Sequence, residues 1–351
     1  MPDRINELTE ELLHWYDVHR RDLPWRESPD VRQEPYNIWL SEVMLQQTTV
    51  ATVISYYGKF LARWPTVANL AAASLDEVLH AWQGLGYYAR ARNLHKCAQV
   101  VVAKYGGHFP DSEAELLSLP GIGSYTAAAI SAIAFGHKAT PIDGNIERVI
   151  SRIYAIEEPL PQSKKLVRTY AESLTPDQRA GDFAQALMDL GATICRPKLA
   201  NCGFCPVLEN CRASNREDPA RYPIKLARRK RPNRYGVVFW VERSDGSVLV
   251  RRRPDQGLLG GMIVFPTTEW REQIWEFESW VSQAPLEGKW IELVDPVTHV
   301  FTHFRLELSI KVTKVVDGGD DFWCHPDDFG QLALPTVMKK VAKAVTEFQL
   351  S

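Results

Sequence analysis

Leu119-Pro120-Gly121-Ile122-Gly123, followed by Ser124-Tyr125-Thr126-Ala127, joins two runs with helical patterning and decides how the chain is read. Gly121 and Gly123 permit backbone angles that residues with a Cβ resist. The amides they expose lie at the N-terminus of the second helix, where unpaired N–H groups and the helix dipole suit a phosphate oxygen. A lone G-x-G would read as an ordinary helix–helix turn. The complete L-P-G-I-G between helices favours a phosphate grip that ignores base sequence.

Outward from this hairpin, residues 1–225 read as mostly helical. Ile5, Leu8, Leu12, Leu13, Trp15 and Tyr16 recur at helical spacing, as do Val43, Met44, Val50, Val53 and Ile54. Trp64-Pro65-Thr66 and Phe109-Pro110-Asp111-Ser112 carry loop and cap signals, and Ala127 to Phe135 is a small-residue helix suited to close packing. The stretch 221–234, RYPIKLARRKRPNR, holds seven basic residues, two prolines and no acid. Its residues 226–234 read as an exposed basic linker. Beyond it the texture turns strand-like. Gly236 to Val241, a Ser244-Asp245-Gly246-Ser247 turn and Val248-Leu249-Val250 form a hairpin pattern, and Phe304 to Val316 alternates as a long strand. The expected architecture is multidomain: an all-α region over 1–225 and an α+β domain over 235–351. Within the first, about 28–137 form a six-helix module around the hairpin 119–123, while 1–27 and 138–225 form a second helical subdomain.

The chain has 351 residues, a formal net charge of −2, 45% hydrophobic and 24% charged residues. These values fit a soluble globular protein and give no global sign of a nucleic-acid partner, which local basic groups or backbone amides would have to hold. No cationic stretch followed by an apolar run opens the chain, and no window approaches a membrane span. The expectation is a soluble, monomeric protein of the bacterial cytoplasm or nucleoid, with no membrane partner.

Cys195, Cys202, Cys205 and Cys211 fall within seventeen residues, while Cys97 and Cys324 stand apart. Without a secretory signal, such clustering points to metal before disulfide. One C-x-x-C with two outlying cysteines is compatible with zinc or with a [4Fe–4S] cluster, and spacing leaves the two even.

The hairpin resembles the helix-hairpin-helix of the endonuclease III superfamily of base-excision glycosylases. That family has a catalytic aspartate in a loop downstream of the hairpin, where this chain reads Pro141-Ile142-Asp143-Gly144-Asn145-Ile146-Glu147-Arg148. Asp143 alone would read as a helix cap. The resemblance implies that Asp143 is catalytic, grouped with Asn145, and that Cys195, Cys202, Cys205 and Cys211 hold a [4Fe–4S] cluster of mainly structural, DNA-contacting role. Arg196 and Lys198 beside the first ligand become candidate phosphate contacts.

Trp39-Leu40-Ser41-Glu42-Val43-Met44-Leu45-Gln46-Gln47-Thr48 is similar to the helix that carries the general acid in the MutY adenine glycosylases. Adenine leaves deoxyribose poorly until its ring is protonated, and a buried carboxylic acid can supply that proton. A second, ionised carboxylate would stabilise an oxocarbenium-like sugar or bond to it briefly. The resemblance assigns Glu42 the first role and Asp143 the second. Gly84 to Asn93, GLGYYARARN, also matches. Tyr87 is the expected wedge behind an extruded base, Gln47 a second intercalating group, and Tyr88 a core residue. Arg26 falls where the family has an arginine of the adenine pocket, with Arg21 as a further candidate. Bifunctional relatives place a Schiff-base lysine two residues after the last hairpin glycine. Here Tyr125 stands there, so hydrolysis without strand cleavage is expected.

Gly257 to Pro266, GLLGGMIVFP, resembles the Nudix-like C-terminal domain of the same glycosylases. Glu269, Arg271, Glu272, Glu276 and Glu278 lack the spacing of an active magnesium site. His299-Val300-Phe301-Thr302-His303 matches the family's F-S-H loop, which distinguishes oxidised guanine from guanine. Thr302 and His303 are the expected readers, with threonine in place of serine. The resemblance therefore implies a monofunctional glycosylase that removes adenine opposite 8-oxoguanine or guanine in duplex DNA. Downstream repair proteins are conceivable partners. The competing readings are an endonuclease III-type glycosylase/lyase, a non-catalytic iron–sulfur DNA-binding regulator, and a nucleotide pyrophosphatase. Tyr125, the two carboxylates and the broken Nudix pattern oppose them in turn.

Overall fold

The computed structural model describes residues 2–27, 33–226, 231–254, 257–316 and 322–350. Most of the stretch Glu27–Glu34, and 227–230 of the basic segment, lie outside these. Two compact units emerge: Met1–Ala73 with Asn93–Ala227, and Ser74–Arg92 with Arg228–Ser351. Among the described residues no helix is long and apolar enough to cross a membrane.

Among the described residues, eleven α-helices precede the first strand: α1 (Pro2–His19), α2 (Pro35–Leu45), α3 (Val50–Arg63), α4 (Val67–Ala72), α5 (Leu75–Ala81), α6 (Ala89–Tyr105), α7 (Glu113–Leu117), α8 (Ser124–Ile133), α9 (Gly144–Ile153), α10 (Lys164–Leu174) and α11 (Ala180–Thr193). In the first unit, α1, α9, α10 and α11 share a core around Leu12, Ile146, Ile150, Phe183 and Leu187. Helix α11 also meets α8, where the missing side chain of Gly181 allows contact: a Cβ there would sit 2.5 Å from the carbonyl oxygen of Ala132. The periodic run from Val43 to Ile54 is not one helix. It breaks between α2 and α3 at residues 46–49, where Gln47 adopts φ +58°. Thr49 restarts the chain by accepting from the Thr52 amide at 3.4 Å.

In the second unit, Ser74 and Glu77 form a reciprocal capping box at the start of α5. The strands are β1 (Asn233–Arg243), β2 (Val248–Leu249), β3 (Arg251–Arg252), β4 (Ile263–Val264), β5 (Ile291–Glu292), β6 (Val297–Val300), β7 (Arg305–Val315) and β8 (Trp323–Cys324), with α12 (Phe277–Val281) and α13 (Thr336–Leu350). A mixed sheet of order β5-β7-β1-β2-β8 has β6 paired to β7, and β1 runs parallel to β7 from Asn233↔Arg305 to Arg243↔Val315. Because β1 is central, both its faces are covered. Val238 and Trp240 enter the main core, while Val237 and Phe239 pack on Trp280 of α12, which explains the unbroken apolar run.

Two features differ from the division read from sequence. Ser74–Arg92, expected inside the helical module, groups with the C-terminal residues through side-chain bonds spanning 168 to 256 positions. Gln83 Nε2 donates to the Leu332 carbonyl at 2.5 Å, Lys339 Nζ to Gln83 Oε1 at 2.9 Å, and Arg92 to the Gly260 carbonyl. The end of the expected linker is also structured. Asn233 and Arg234 open β1, Pro232 O accepts from the Arg305 amide at 3.0 Å, and Arg231 Nε donates to the Thr302 carbonyl at 3.1 Å. Pairing in parallel with β7 draws these residues onto the loop that precedes it. Glu269 and Glu272 stand in irregular backbone and not on a helix, so the carboxylate row of an active Nudix site has no frame.

Candidate active site

Glu42 lies near the end of α2, on a turn that also buries Trp39, Leu40, Ser41 and Val43. A helix apolar on nearly every side is a core helix, and it carries the glutamate inward, leaving the residue 5% exposed. Burial is the largest influence on the carboxyl and pushes its pKa up to about 7. A hydrogen bond from Tyr125 and the charge of Arg26 oppose that rise, while Asp143 adds to it. Tyr125 reaches Glu42 from the first turn of α8, its Oη donating to Oε2 at 2.8 Å. Burial and the adjoining carboxylates hold the phenol well above its ordinary pKa, so it stays a donor across the working pH range.

Asp143 is both cap and pocket residue. Its Oδ1 accepts from the Asn145 and Ile146 amides at 2.9 and 2.7 Å at the start of α9, and its Oδ2 accepts from Asn145 Nδ2 at 2.8 Å. Three donors thus converge on this one carboxyl group. Asn145 is itself oriented by Arg148, whose Nη2 donates to Asn145 Oδ1 at 2.8 Å. Glu42, Tyr125, Asp143, Asn145, Gln46, Gln47, Arg26 and Gln185 all line one cavity of the first unit. The fold thus brings together, in one pocket, a buried carboxyl with a raised pKa and a second carboxyl held by three donors. No lysine is among the described residues lining it.

Arg26 enters this pocket already engaged. Its Nη1 and Nη2 donate to Asp189 Oδ2 and Oδ1 at 2.6 and 2.9 Å, and Arg21 adds bonds from its amide and Nε at 2.9 and 2.5 Å. Burial works to raise the Asp189 pKa, yet the bonds and charges of Arg26 and Arg21 together hold the group below its ordinary value. Sequence reading missed Asp189. The signal available was one acid on a stretch of α11, Phe183 to Gly191, that is otherwise apolar, small or amide-bearing and fully buried.

The four cysteines stand around a common cavity also lined by Arg152, Ile194 and Leu208. None of the four is in a disulfide, and Arg152 Nη1 approaches Cys195 Sγ at 3.2 Å. The Arg152 side chain is buried among carbonyls: Nε donates to Tyr222 O, Nη1 to Arg196 O and Nη2 to Pro197 O. Among the described residues no three His, Cys, Asp or Glu side chains converge as a single ion requires. Four sulfurs around one cavity, with the buried Arg152 guanidinium beside one of them, fit an anionic group held between them. Arg196 and Lys198 are exposed.

The hairpin Leu119–Gly123 joins α7 to α8 as read. Gly121 requires glycine, with φ +75° and a Cβ position 2.6 Å from Asn93 Cβ, whereas Gly123 is an ordinary extended N-cap with open space around it. The two expected wedge residues share a trait: Gln47 and Tyr87 both have left-handed backbones, φ +58° and +48°. Such angles are uncommon for residues with a side chain, and Ala155, Arg179 and Leu259 adopt them as well. Tyr87 is exposed, and its hydroxyl bonds the Thr302 hydroxyl within the second unit. Thr302 and His303 form the exposed tip of the β6–β7 turn, closed by the Phe301 amide on the Phe304 carbonyl at 2.9 Å. His299 packs edge-on to Phe301 with centroids 4.6 Å apart, and burial lowers its pKa.

Residues 40–177 match the HhH-GPD superfamily of base excision DNA repair proteins, and residues 237–344 match a NUDIX domain. Among solved structures, a thermostable thymine-DNA glycosylase superposes with a TM-score of 0.55 at 32% identity, over 60% of this chain and 97% of that one. An endonuclease III–DNA complex shares the fold, with a TM-score of 0.51 at 24% identity over 61% and 97% of the two chains. The class is therefore a helix-hairpin-helix base excision repair protein carrying a Nudix-type domain. Human adenine DNA glycosylase is 36% identical across 94% of this chain and 72% of its own length. The enzyme of Buchnera aphidicola subsp. Baizongia pistaciae is 32% identical across 96% of both chains. The chain belongs to the adenine DNA glycosylase family.

Proposed function

We propose that the protein hydrolyses the N-glycosidic bond of adenine in duplex DNA, adenine standing opposite 8-oxoguanine or guanine, with Glu42 as general acid and Asp143 as the stabilising carboxylate. The observation that carries this reading is the pairing of unlike carboxyls in one cavity: Glu42 buried with a pKa near 7, Asp143 held by three donors. An extruded adenine takes a proton from Glu42, which weakens the bond to C1′ as the base leaves neutral. Positive charge builds on the sugar, and Asp143 faces it. Tyr125 steadies Glu42 but offers no amine, so water finishes the reaction and the strand stays whole.

The hairpin amides around Gly121 would grip one backbone phosphate, and Gln47 and Tyr87 would fill the stack left by the flipped base. Thr302 and His303 would read the new N7–H and O8 of the oxidised guanine. Cys195, Cys202, Cys205 and Cys211 would hold a [4Fe–4S] cluster, with Arg152 compensating its charge. When bound, the cluster would join the four thiolates to one another and so close the 195–211 loop on itself.

The test is a duplex with adenine opposite 8-oxoguanine, guanine or thymine, analysed before and after alkali. Breaks revealed only by alkali, most with 8-oxoguanine and none with thymine, are expected. Intact strands after alkali would overturn the assignment, and breaks without alkali would restore a lyase.

A further inference from the structure

We propose that Asp189 is a positioning residue whose task is to keep Arg26 from capturing Glu42. The inference rests on Glu42 acting as the general acid. A general acid must carry its proton when the base arrives, and an arginine that pairs with it removes that condition. Arg26 lines the same cavity as Glu42, within range to influence it electrostatically. Even so, among the described residues Glu42 accepts a hydrogen bond from Tyr125 and takes part in no ion pair.

The reason is geometric. Asp189 is fully buried, and its two oxygens face both terminal nitrogens of Arg26 in a fork of two parallel bonds. This planar arrangement fixes the guanidinium as a single-point contact would not. Arg21 saturates the remaining acceptor sites from its amide and Nε. Arg26 Nη1 also donates to the Arg21 carbonyl at 3.3 Å, which leaves the group little freedom to swing. The groups facing Glu42 are then Tyr125 from α8, Asp143 from the start of α9 and the clamped Arg26, with Arg21 and Asp189 behind it. The chain keeps a cation on the pocket wall, where it can line a base site, without letting it ionise the acid. A buried arginine left without an anion is costly, and it is Asp189, not Glu42, that Arg26 takes as its partner.

The test is the pH dependence of adenine release under single turnover for the wild type, Asp189→Asn and Arg26→Lys. The rate should fall as pH rises through the Glu42 titration. Asp189→Asn replaces an acceptor by an amide that cannot hold the fork, so the midpoint should move down by about one pH unit or more. At pH 7.5 the rate should then drop about tenfold, with recovery at lower pH. Arg26→Lys keeps every charge and still releases the pair, because an ammonium cannot make the parallel bonds. Its midpoint should fall too, and it carries the test if Asp189→Asn does not fold. Rates lowered equally at all pH values, with the midpoint unmoved in Arg26→Lys, would overturn the proposal and leave Asp189 a structural residue. A wild-type profile with no alkaline fall would instead sink the acid role of Glu42 itself.

Discussion

A glutamate with its carboxyl buried beside a second carboxylate is a liability to folding and an asset to chemistry. The unfolded chain ionises Glu42 near its ordinary pKa of 4.5, whereas in the fold it titrates near 7. The folded state therefore holds the extra proton between those values, and stability falls as pH rises through that window, the full penalty being present above 7. Glu42→Gln removes the titration. Thermal unfolding should find this variant more stable than the wild type by about 1–3 kcal/mol at pH 8, with the difference vanishing below pH 4.5. No gain at pH 8 would show that burial does not hold the acid as argued. At this scale the sequence was legible where a residue type is chemically forced: Glu42, Asp143 and Tyr125, each singled out from sequence, line one pocket. Asp189 was not, because its partners Arg21 and Arg26 lie 168 and 163 positions away and one acid in an apolar helix has many readings.

The helices act as brackets for these groups, and their spacing is set by small residues. Gly181 of α11 touches the backbone of Ala132 and Ile133 in α8, the helix that carries Tyr125. A methyl group at 181 would meet backbone on both counts and cannot be absorbed by a rotamer. Gly181→Ala should destabilise the protein by about 1–3 kcal/mol in denaturant unfolding, and an unchanged midpoint would contradict the close packing. The same logic explains what sequence patterning missed among the elements. Val43 to Ile54 looked continuous by period, yet the left-handed Gln47 breaks it, because the chain must turn there to set that residue at the pocket. Gly121 and Gly123 looked equivalent, but backbone angle and the crowding of Asn93 single out Gly121. Periodicity records which face is buried and not where a helix must stop.

Across the whole molecule, local texture separated helical from strand-rich sequence but gave no sign of the long-range bonds made by Ser74–Arg92 or of the strand at the end of the basic segment. Both are held by bonds between residues distant in sequence, such as Gln83 to Leu332 and Arg231 to Thr302. The cysteine loop carries its own prediction. Cys205→Ser removes one of four sulfurs around their common cavity and leaves the buried Arg152 beside an incomplete anion. The variant should lose the brown absorption of an iron–sulfur protein and melt earlier. Wild-type colour and melting would show that Cys205 holds nothing. The central claim, that a buried carboxylic acid expels adenine, is tested most directly at Glu42 itself. Wild-type protein and Glu42→Gln are compared in single turnover on a duplex with adenine opposite 8-oxoguanine, with binding measured on the same duplex. The account predicts alkali-labile product from the wild type, none from Glu42→Gln, and similar binding by both; adenine release by Glu42→Gln at the wild-type rate would contradict it.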